Sequence, residues 1–346
     1  MMSASKPITI VGGGLAGLTL GIGLRQRDVP VTIFEAGQYP RHRVCGEFIS
    51  GNGPVVLERL GLLPLLERAG AIRVQTAMFI SGANHSPVRA LSAPALALSR
   101  YLLDSILANE FQRLGGELKS GARRAENDFG EGWVRSTGRR AQPTENGWRW
   151  FGLKAHARHV NLSADLEMHV SSDNYIGVNR INDGEVNICG LFRARAGEAR
   201  ELGFEMLRGQ SGSPLHKKLA NAQFDEHSFC SVAGLSLTPH RASDTDDCCI
   251  GDAVTMIPPV TGNGMSMAFE SAEIAIDPLS RFSRGKIAWT EARESIAHAC
   301  DAAFAARLNW ARRLQWLMFS PLPRTPFGKA LLDSDTLWNF LFAKTR

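Results

Sequence analysis

Hydrophobic and polar positions change their spacing along the chain, and each change predicts a different kind of element. β-Branched runs at Ile8–Val11 and Val31–Glu35 flank a glycine turn and an apolar helical stretch, which together predict a β–α–β unit. Helical spacing then predicts helices over 54–66 and 100–114, with a strand over 74–81 between them.

From residue 148 onward, apolar positions alternate in short segments separated by turn residues. The segments predict strands of an antiparallel sheet over 148–154, 166–170, 175–178 and 186–191. This sheet offers aromatic and polar side chains to a substrate, namely Trp150, Phe151, Lys154, His156, Tyr175, Asn187 and Cys189. Alternation places Asn187 and Cys189 on one face and Val186 and Ile188 on the other. Which face lines a binding site stays open.

The segment 249–253 indicates a return to the first unit, and helices are predicted over 264–276 and 287–319. We therefore predict an α/β protein with a Rossmann-type domain, an inserted antiparallel-sheet substrate domain and C-terminal helices. The Rossmann-type domain is expected to be discontinuous, over 1–75, 96–125 and 245–285. The substrate domain is expected over 76–95 and 145–244, and the helical segment over 286–346.

Composition narrows the function without naming it. The 346 residues are 44% hydrophobic and 21% charged, which is typical of a globular chain long enough for two domains. A net charge of +5, without basic runs interleaved with aromatic residues, favours anionic cofactors or substrates over nucleic acid. Scattered cysteines without a CxxC pair, and dispersed histidines, predict neither a disulfide framework nor a metal site.

Two segments bear on location. The N-terminal segment 1–7 is too short and polar for a signal peptide, and no apolar run approaches the ~18 residues of a membrane-spanning helix, so we expect a cytoplasmic protein. The C-terminal stretch is rich in Trp, Phe and Arg. It either packs a helix pair onto the two domains or lies on a membrane surface, and we favour packing because apolar helix faces usually serve cores.

Candidate chemistry begins at the turn Gly12-Gly13-Gly14-Leu15-Ala16-Gly17. Gly12 permits a tight turn, Gly14 leaves room for a pyrophosphate, and Gly17 lets the helix pack closely on the strand. The N–H groups at the helix start are available to phosphates. Glu35 follows near the ~20-residue spacing expected of a carboxylate that accepts hydrogen bonds from an adenosine ribose. The unit therefore predicts an adenine dinucleotide site.

A second glycine-bearing turn runs from Gly251-Asp252-Ala253 to Gly262-Asn263-Gly264 and leads into an apolar helix. Asp252 is placed to accept a hydrogen bond from a ribityl hydroxyl. Gly262 and Gly264 permit a flat ring to approach N–H groups at the helix start. Those groups and the helix dipole would stabilise negative charge on a reduced flavin.

Three blocks carry a resemblance over nearly the whole chain: the first glycine turn with Glu35, the helix start Ser99-Arg100-Tyr101-Leu102-Leu103-Asp104, and the second turn. The chain resembles the FAD-dependent oxidoreductases of the aromatic-hydroxylase and geranylgeranyl-reductase superfamily. The resemblance implies FAD as cofactor, with Arg100 and Asp252 near its pyrophosphate or ribityl chain. The implied cofactor-binding residues are Gly12, Gly14, Ala16, Gly17, Glu35, Arg100, Gly251, Asp252, Pro259, Gly262, Asn263 and Gly264, and the residues from Pro259 onward border the isoalloxazine ring.

One element of that superfamily is missing. Aromatic hydroxylases usually carry an Asp-Gly motif that touches FAD and the nicotinamide donor, but the corresponding stretch 134–140 reads Val-Arg-Ser-Thr-Gly-Arg-Arg. Two alternatives for the electron donor stay open, namely NADPH or NADH acting transiently and a separate reductase.

The segment Arg43-Val44-Cys45-Gly46-Glu47 resembles the Cys-Gly segment that lies near the flavin in geranylgeranyl reductases. Beside Arg43, the Cys45 thiol is expected to have a lowered pKa and to act as proton donor or nucleophile. The alternative is a small buried residue beside a required glycine. Glu47 is either a general acid or base, or only a partner for Arg43.

The favoured hypothesis is an FAD-dependent monooxygenase that hydroxylates an aromatic or polyketide-like small molecule in a dry pocket. The first alternative is a flavin-dependent reductase or desaturase of carbon–carbon double bonds acting on a prenyl substrate, with Cys45 donating the proton. A lesser alternative is an electron-transfer module without turnover of its own.

Overall fold

The described part of the chain comprises residues 5–124, 129–197 and 203–345 of a computed structural model. Some of the segments predicted from the sequence extend beyond these ranges. Residues 1–4 of the polar N-terminal stretch, and Ala125 at the predicted end of one Rossmann segment, lie outside the described residues.

A parallel sheet of five strands forms the base of the Rossmann-type unit. Its strands are β1 (Ile8–Val11), β2 (Val31–Glu35), β7 (Glu117–Ser120), β8 (Trp133–Arg135) and β14 (Cys248–Cys249). They are ordered β14-β8-β1-β2-β7, and every neighbouring pair is parallel. The return of the chain after residue 248 to this sheet, which the sequence predicts, is confirmed.

Three helices pack on this sheet, namely α1 (Leu15–Arg25), α4 (Arg100–Arg113) and α7 (Gly264–Ser283). Helix α1 is buried along nearly its whole length, and of its three glycines Gly21 and Gly23 face neighbouring elements. A Cβ on Gly23 would lie 2.2 Å from Cδ1 of Ile276 in α7, and one on Gly21 would lie 2.7 Å from Cδ1 of Ile33 in β2. The glycines therefore let α1 approach its neighbours closely.

The helix predicted over 54–66 is wrong as a single element. The structure has two short helices there, α2 (Gly53–Arg59) and α3 (Leu63–Arg68). Between them Gly61 adopts a left-handed conformation with φ +69°, which a continuous helix does not accommodate. Val56 lies in α2 and Leu66 in α3, and their spacing also fits a single helix. The apolar pattern therefore did not predict the break.

The second sheet has nine strands and is mostly antiparallel. Its strands are β3 (Phe48–Ile49), β4 (Ile72–Ser81), β5 (Asn84–His85), β6 (Arg89–Ala97), β9 (Trp148–Arg158), β10 (Leu166–Val170), β11 (Asn174–Arg180), β12 (Val186–Arg195) and β13 (Gln223–Ala233). The order is β13-β9-β12-β11-β10-β4-β6-β3, with β5 paired to β4. The pair β10–β4 is parallel, and it joins the strand predicted over 74–81 to the later sheet.

Helices cover both faces of the second sheet. On one face, α5 (Phe204–Leu207) and α6 (Pro214–Lys218) pack on Leu153, Ala155 and Ile188. On the other face, the long α8 (Trp289–Phe319) packs against β10, β11 and β12, followed by α9 (Pro326–Asp333) and α10 (Asp335–Lys344). The preferred interpretation of the C-terminal stretch, packing onto the body of the protein, is confirmed.

Candidate functional site

The first glycine turn has the geometry that its sequence predicts. Gly12 has φ +110°, and a Cβ there would lie 2.2 Å from the carbonyl oxygen of Ser136. A Cβ on Gly17 would lie 2.0 Å from the carbonyl oxygen of Gly12. Around Gly14, by contrast, no described atom lies within 4 Å of an added Cβ. Both ends of the turn are therefore tightly packed, while the space in front of α1 is open.

Glu35 is the last residue of β2, and its carboxylate is hydrogen-bonded to the first glycine turn. Its carboxylate accepts hydrogen bonds from the N–H groups of Gly13 and Gly37, both at 2.8 Å. The guanidinium of Arg41 lies 2.6 Å from the same carboxylate, and that of Arg43 lies 3.7 Å away. Glu35 is thus held at the glycine turn as predicted, and its bond to a ribose stays a prediction.

The second glycine-bearing turn meets the first one in space. Gly251 has φ +61°, and a Cβ there would lie 2.9 Å from the Cβ of Ala16 at the start of α1. The Gly251 N–H donates to Ser271 of α7 at 3.0 Å, which fixes the turn. The two motifs, far apart in sequence, therefore form one continuous surface.

The start of α7 forms the far end of that surface. Gly262 adopts φ +63°, and a Cβ there would lie 3.0 Å from the Phe48 ring. Asn263 is fully buried and donates its side-chain amide to the carbonyl of Thr345 at 2.8 Å. Its side-chain oxygen has no hydrogen-bond partner among the described residues. A buried helix start with an unsatisfied polar atom beside it fits a planar polar ligand.

Asp252 belongs to the second glycine-bearing turn, and its carboxyl group has an altered pKa. Burial raises its pKa to about 6, although Arg139 and Arg100 act in the opposite direction. Arg139 comes from the stretch in which the Asp-Gly motif is missing, and sequence reasoning did not place it in the site. Because Asp252 and Arg139 attract one another across the chain, the stretch 134–140 belongs to the site despite its altered sequence.

Arg100 is held on α4 by a buried ion pair. Its guanidinium contacts both carboxylate oxygens of Asp104, at 2.7 and 2.8 Å, and Asp104 also contacts Arg43 at 3.1 Å. The side chain of Ser99 accepts a hydrogen bond from the Leu102 N–H and so caps the helix start. Against the raising effect of burial, the Arg100 charge acts to lower the pKa of both Cys45 and Asp252, and its contact with a cofactor stays a prediction.

The expected activation of Cys45 is wrong in direction. Burial raises the pKa of its thiol, and the nearby Arg100 guanidinium only partly offsets this effect. Arg43, the residue expected to lower the pKa, pairs instead with Asp104 and Glu35. Cys45 still lines the central cavity, and its part in proton transfer stays a prediction.

Glu47 is not a partner of Arg43 but the centre of a buried polar cluster. Its carboxylate contacts Lys154 Nζ at 3.1 Å and His156 Nε2 at 2.7 Å, and it accepts from the Arg100 N–H at 2.9 Å. Burial alone would raise the pKa of Glu47, but the His156 hydrogen bond and the Lys154 charge lower it. Glu47 also adopts a left-handed backbone conformation with φ +52°.

The cluster shows which face of the second sheet lies against the segment that contains Cys45 and Glu47. Lys154 pairs with Cys189, and His156 pairs with Asn187, across β9 and β12. The Asn187 amide donates to the Cys45 carbonyl at 3.1 Å. Lys154 and His156 therefore lie on the face with Asn187 and Cys189, as alternation allows. In the sequence, Lys154 and His156 alternate with apolar residues, which indicates that both point to the same face. Nothing in the sequence indicated that this face contacts Glu47.

A cavity of about 290 Å³ lies between the second sheet and the C-terminal helices, and Cys45 and Cys189 are among the residues that line it. At one end it is lined by Cys45, Gly46, Asp252, Pro259 and Gly262. Its long walls are mostly apolar, with Phe79, Met168, Tyr175, Leu191, Met318 and Trp338 among them. A concave apolar space with a few polar groups at its end is typical of a small-molecule site.

Comparisons with known proteins agree with this geometry. Residues 10–47 match a family model described as an NAD(P)-binding Rossmann-like domain. No sequence among curated proteins matches the chain. Among solved structures, the flavin-dependent brominase Bmp2 superposes with a TM-score of 0.75 at 17% identity, covering 98% of this chain and 92% of that one.

Two further structures extend the likeness. PqsL from P. aeruginosa, in complex with 2-aminobenzoylacetate, gives a TM-score of 0.69 at 17% identity, covering 91% of this chain and 96% of its own. The myxobacterial chondrochloren halogenase CndH gives 0.73 at 16% identity, covering 98% and 90%. The chain has the fold of flavin-dependent halogenases and monooxygenases. The fold class predicted from the sequence is confirmed.

Within residues 5–124, 129–197 and 203–345, no group of three or more His, Cys, Asp or Glu side chains is arranged to hold a metal ion. The same ranges contain no helix with the length and apolar character needed to cross a bilayer. All six cysteines are free thiols.

Proposed function

We propose that this chain is an FAD-dependent oxidoreductase, specifically a monooxygenase that hydroxylates an aromatic or polyketide-like small molecule. The single observation that carries the proposal is the meeting of the two glycine-bearing turns at Ala16 and Gly251, beside an apolar cavity. When bound and reduced, FAD supplies the electrons that activate dioxygen. The chain supplies binding, electrostatics and a water-poor space.

The residues present fit that cofactor in separate ways. The open space before α1 suits a pyrophosphate, and Asp252 suits a ribityl hydroxyl. The N-terminus of α7 and the unsatisfied Asn263 oxygen suit the polar edge of an isoalloxazine, where the helix dipole stabilises negative charge. The apolar cavity walls then exclude water from the reacting atoms.

The comparisons support this reaction class over the alternatives. The neighbours include a brominase, a halogenase and PqsL, described as a probable FAD-dependent monooxygenase. Reduction of a double bond would need a proton donor, and a raised pKa makes the Cys45 thiol a poorer one. The electron donor, whether NADPH, NADH or a separate reductase, stays an open part of the proposal, as does a cytoplasmic location.

Cofactor binding is tested with two variants and two matched controls. Gly14→Val fills the open space before α1, and Asp252→Ala removes the carboxylate, so both proteins should purify with little FAD. Gly130→Val is the control for the first, because an added Cβ there also meets no described atom within 4 Å. Asp246→Ala, at a fully exposed carboxylate, is the control for the second. Full yellow colour in both site variants would refute the binding assignment.

Oxygenation is tested with isotopically labelled dioxygen. The FAD-loaded protein, reduced chemically, is mixed with 2-aminobenzoylacetate, the ligand of PqsL, in the presence of bromide. Mass spectrometry of the product should show one labelled oxygen atom. A brominated product would assign the halogenase reaction instead, and a hydrogenated product formed without dioxygen would assign the reductase reaction.

A further inference from the structure

The cavity has a second polar end, far from the two glycine-bearing turns. Arg89, the first residue of β6, lines the cavity there and is only 8% exposed. Its neighbours along the cavity wall are Leu91, Leu332 and Trp338. A buried arginine among apolar side chains is costly unless its donors are used, so the partners of each nitrogen matter.

Two of the three guanidinium nitrogens have partners. Nε donates to Asp335 at 2.8 Å, and Nη1 donates to the carbonyl of Leu332 at 2.8 Å. The third nitrogen, Nη2, is buried and has no hydrogen-bond partner among the described residues. These two bonds fix the plane of the guanidinium and leave Nη2 without an acceptor in the described part of the chain.

The charge of Arg89 is only weakly neutralised. Asp335 is its one described ion-pair partner, and 80% of that side chain is exposed to solvent, which screens the interaction. The Trp338 ring lies 5.6 Å from the guanidinium carbon and shields the arginine on another side. A planar cation whose Nη2 has no acceptor among the described residues is suited, in an apolar cavity, to a carboxylate, which accepts N–H groups of a guanidinium.

The sheet register separates this end of the cavity from the proposed reaction end. At the other end of β6, Ala97 pairs with Phe48, whose ring contacts the Gly262 position. Arg89 pairs with Ala77 further along β4. Because β6 bulges between these positions, Arg89 and Ala97 pair with Ala77 and Ile72 of β4, which lie five residues apart and so are separated by about 17 Å. A ligand bound at both ends must therefore be elongated.

We propose that Arg89 is the anchor for the acidic group of an elongated apolar substrate, whose other end reaches the Phe48–Gly262 end of the cavity. This rests on the proposed function only for the statement that the ligand is a substrate. The recognised class is an apolar carboxylic acid, and the carboxylate accepts from Nη2 of the guanidinium. The same ligand without its charge would leave that nitrogen unsatisfied.

Calorimetry on the FAD-loaded protein tests the anchor with two probes of equal chain length, dodecanoate and 1-dodecanol. The wild-type protein should bind dodecanoate at least about tenfold more tightly than the alcohol. Arg89→Met should weaken binding of the acid until the two probes differ by less than about twofold, while binding of the alcohol stays unchanged. Asp335→Asn is the matched control, since it breaks the ion pair and keeps the guanidinium, and it should preserve the preference for the acid.

Each contrary result is distinct. Equal effects of Arg89→Met and Asp335→Asn on both probes would show that the arginine only tethers the C-terminal helices. A wild-type protein that binds acid and alcohol equally would also overturn the anchor. If Arg89→Met does not fold, Arg89→Gln carries the same comparison with a hydrogen-bonding neutral side chain. A protein that takes up no FAD but still prefers the acid through Arg89 would refute the proposed function and leave the anchor standing.

Discussion

Replacing Lys154 by methionine should destabilise the protein more than any surface charge substitution. Lys154 and Glu47 are both 0% exposed, and their charged atoms are 3.1 Å apart. At an effective dielectric constant of about 20, that separation corresponds to an attraction of about 5 kcal/mol. Breaking a buried pair by removing one partner typically costs about 3–5 kcal/mol, because the remaining charge stays buried. We expect a loss in that range.

Urea denaturation of the FAD-saturated protein measures the effect. Arg59→Met is the matched control, since Arg59 also pairs with a carboxylate, Glu273, but on the surface, where such a pair contributes at most about 1 kcal/mol. The double variant Glu47→Gln with Lys154→Met removes both charges, so it should lose less stability than the sum of the single variants. Additive losses, or a Lys154→Met loss no larger than that of Arg59→Met, would refute the buried-pair argument.

Three further outcomes follow from other contacts. Burial and the nearby Lys154 and His156 lower the pKa of His42 to about 4. Between about pH 6.5 and about pH 4, His42 is therefore protonated in the unfolded chain and neutral in the folded chain. Stability should therefore fall as the pH drops from about 6.5 to about 4, and the fall should be shallower in His42→Gln, as urea titrations at several pH values would show. Gly23→Ala should cost about 1–3 kcal/mol by overpacking, because its Cβ would lie 2.2 Å from Ile276 Cδ1, and adding Ile276→Val should recover part of the loss in thermal melts. Phe319→Ala should cost about 3–5 kcal/mol, since the ring packs on Trp150 and Tyr175, and a loss below about 1 kcal/mol would contradict that packing.

The sequence predicted those parts of the site that lie within one turn of chain. Gly12 and Gly251 adopt positive φ values in their turns, and a Cβ on Gly17 would collide with the Gly12 carbonyl of the same turn. Glu35 follows from the spacing between two adjacent parallel strands. Such features depend on a few consecutive residues, so periodicity and turn chemistry are enough to find them.

The sequence offered Lys154 and His156 to a substrate but did not predict their contacts with Glu47, because these depend on the pairing of distant strands. Lys154 and His156 reach Glu47 only because β9 lies against the segment that follows β2, and the strand order is not encoded locally. Arg139 and Arg89 lie in stretches with no recognisable motif. The break at Gly61 was missed for the opposite reason, since the apolar spacing on both sides of it fits one helix.

The position of Glu47 also constrains attempts to redesign the protein. Its main chain forms part of the loop that leads into β3, while its carboxylate contacts Lys154 and His156 of β9, six strands away in the order of the second sheet. If the loop alone is exchanged for that of a related enzyme, Lys154 and His156 lose their buried carboxylate partner. If the sheet alone is exchanged, Glu47 loses its two partners. A chimera that retains activity should therefore inherit residues 43–48 and 148–158 from the same parent.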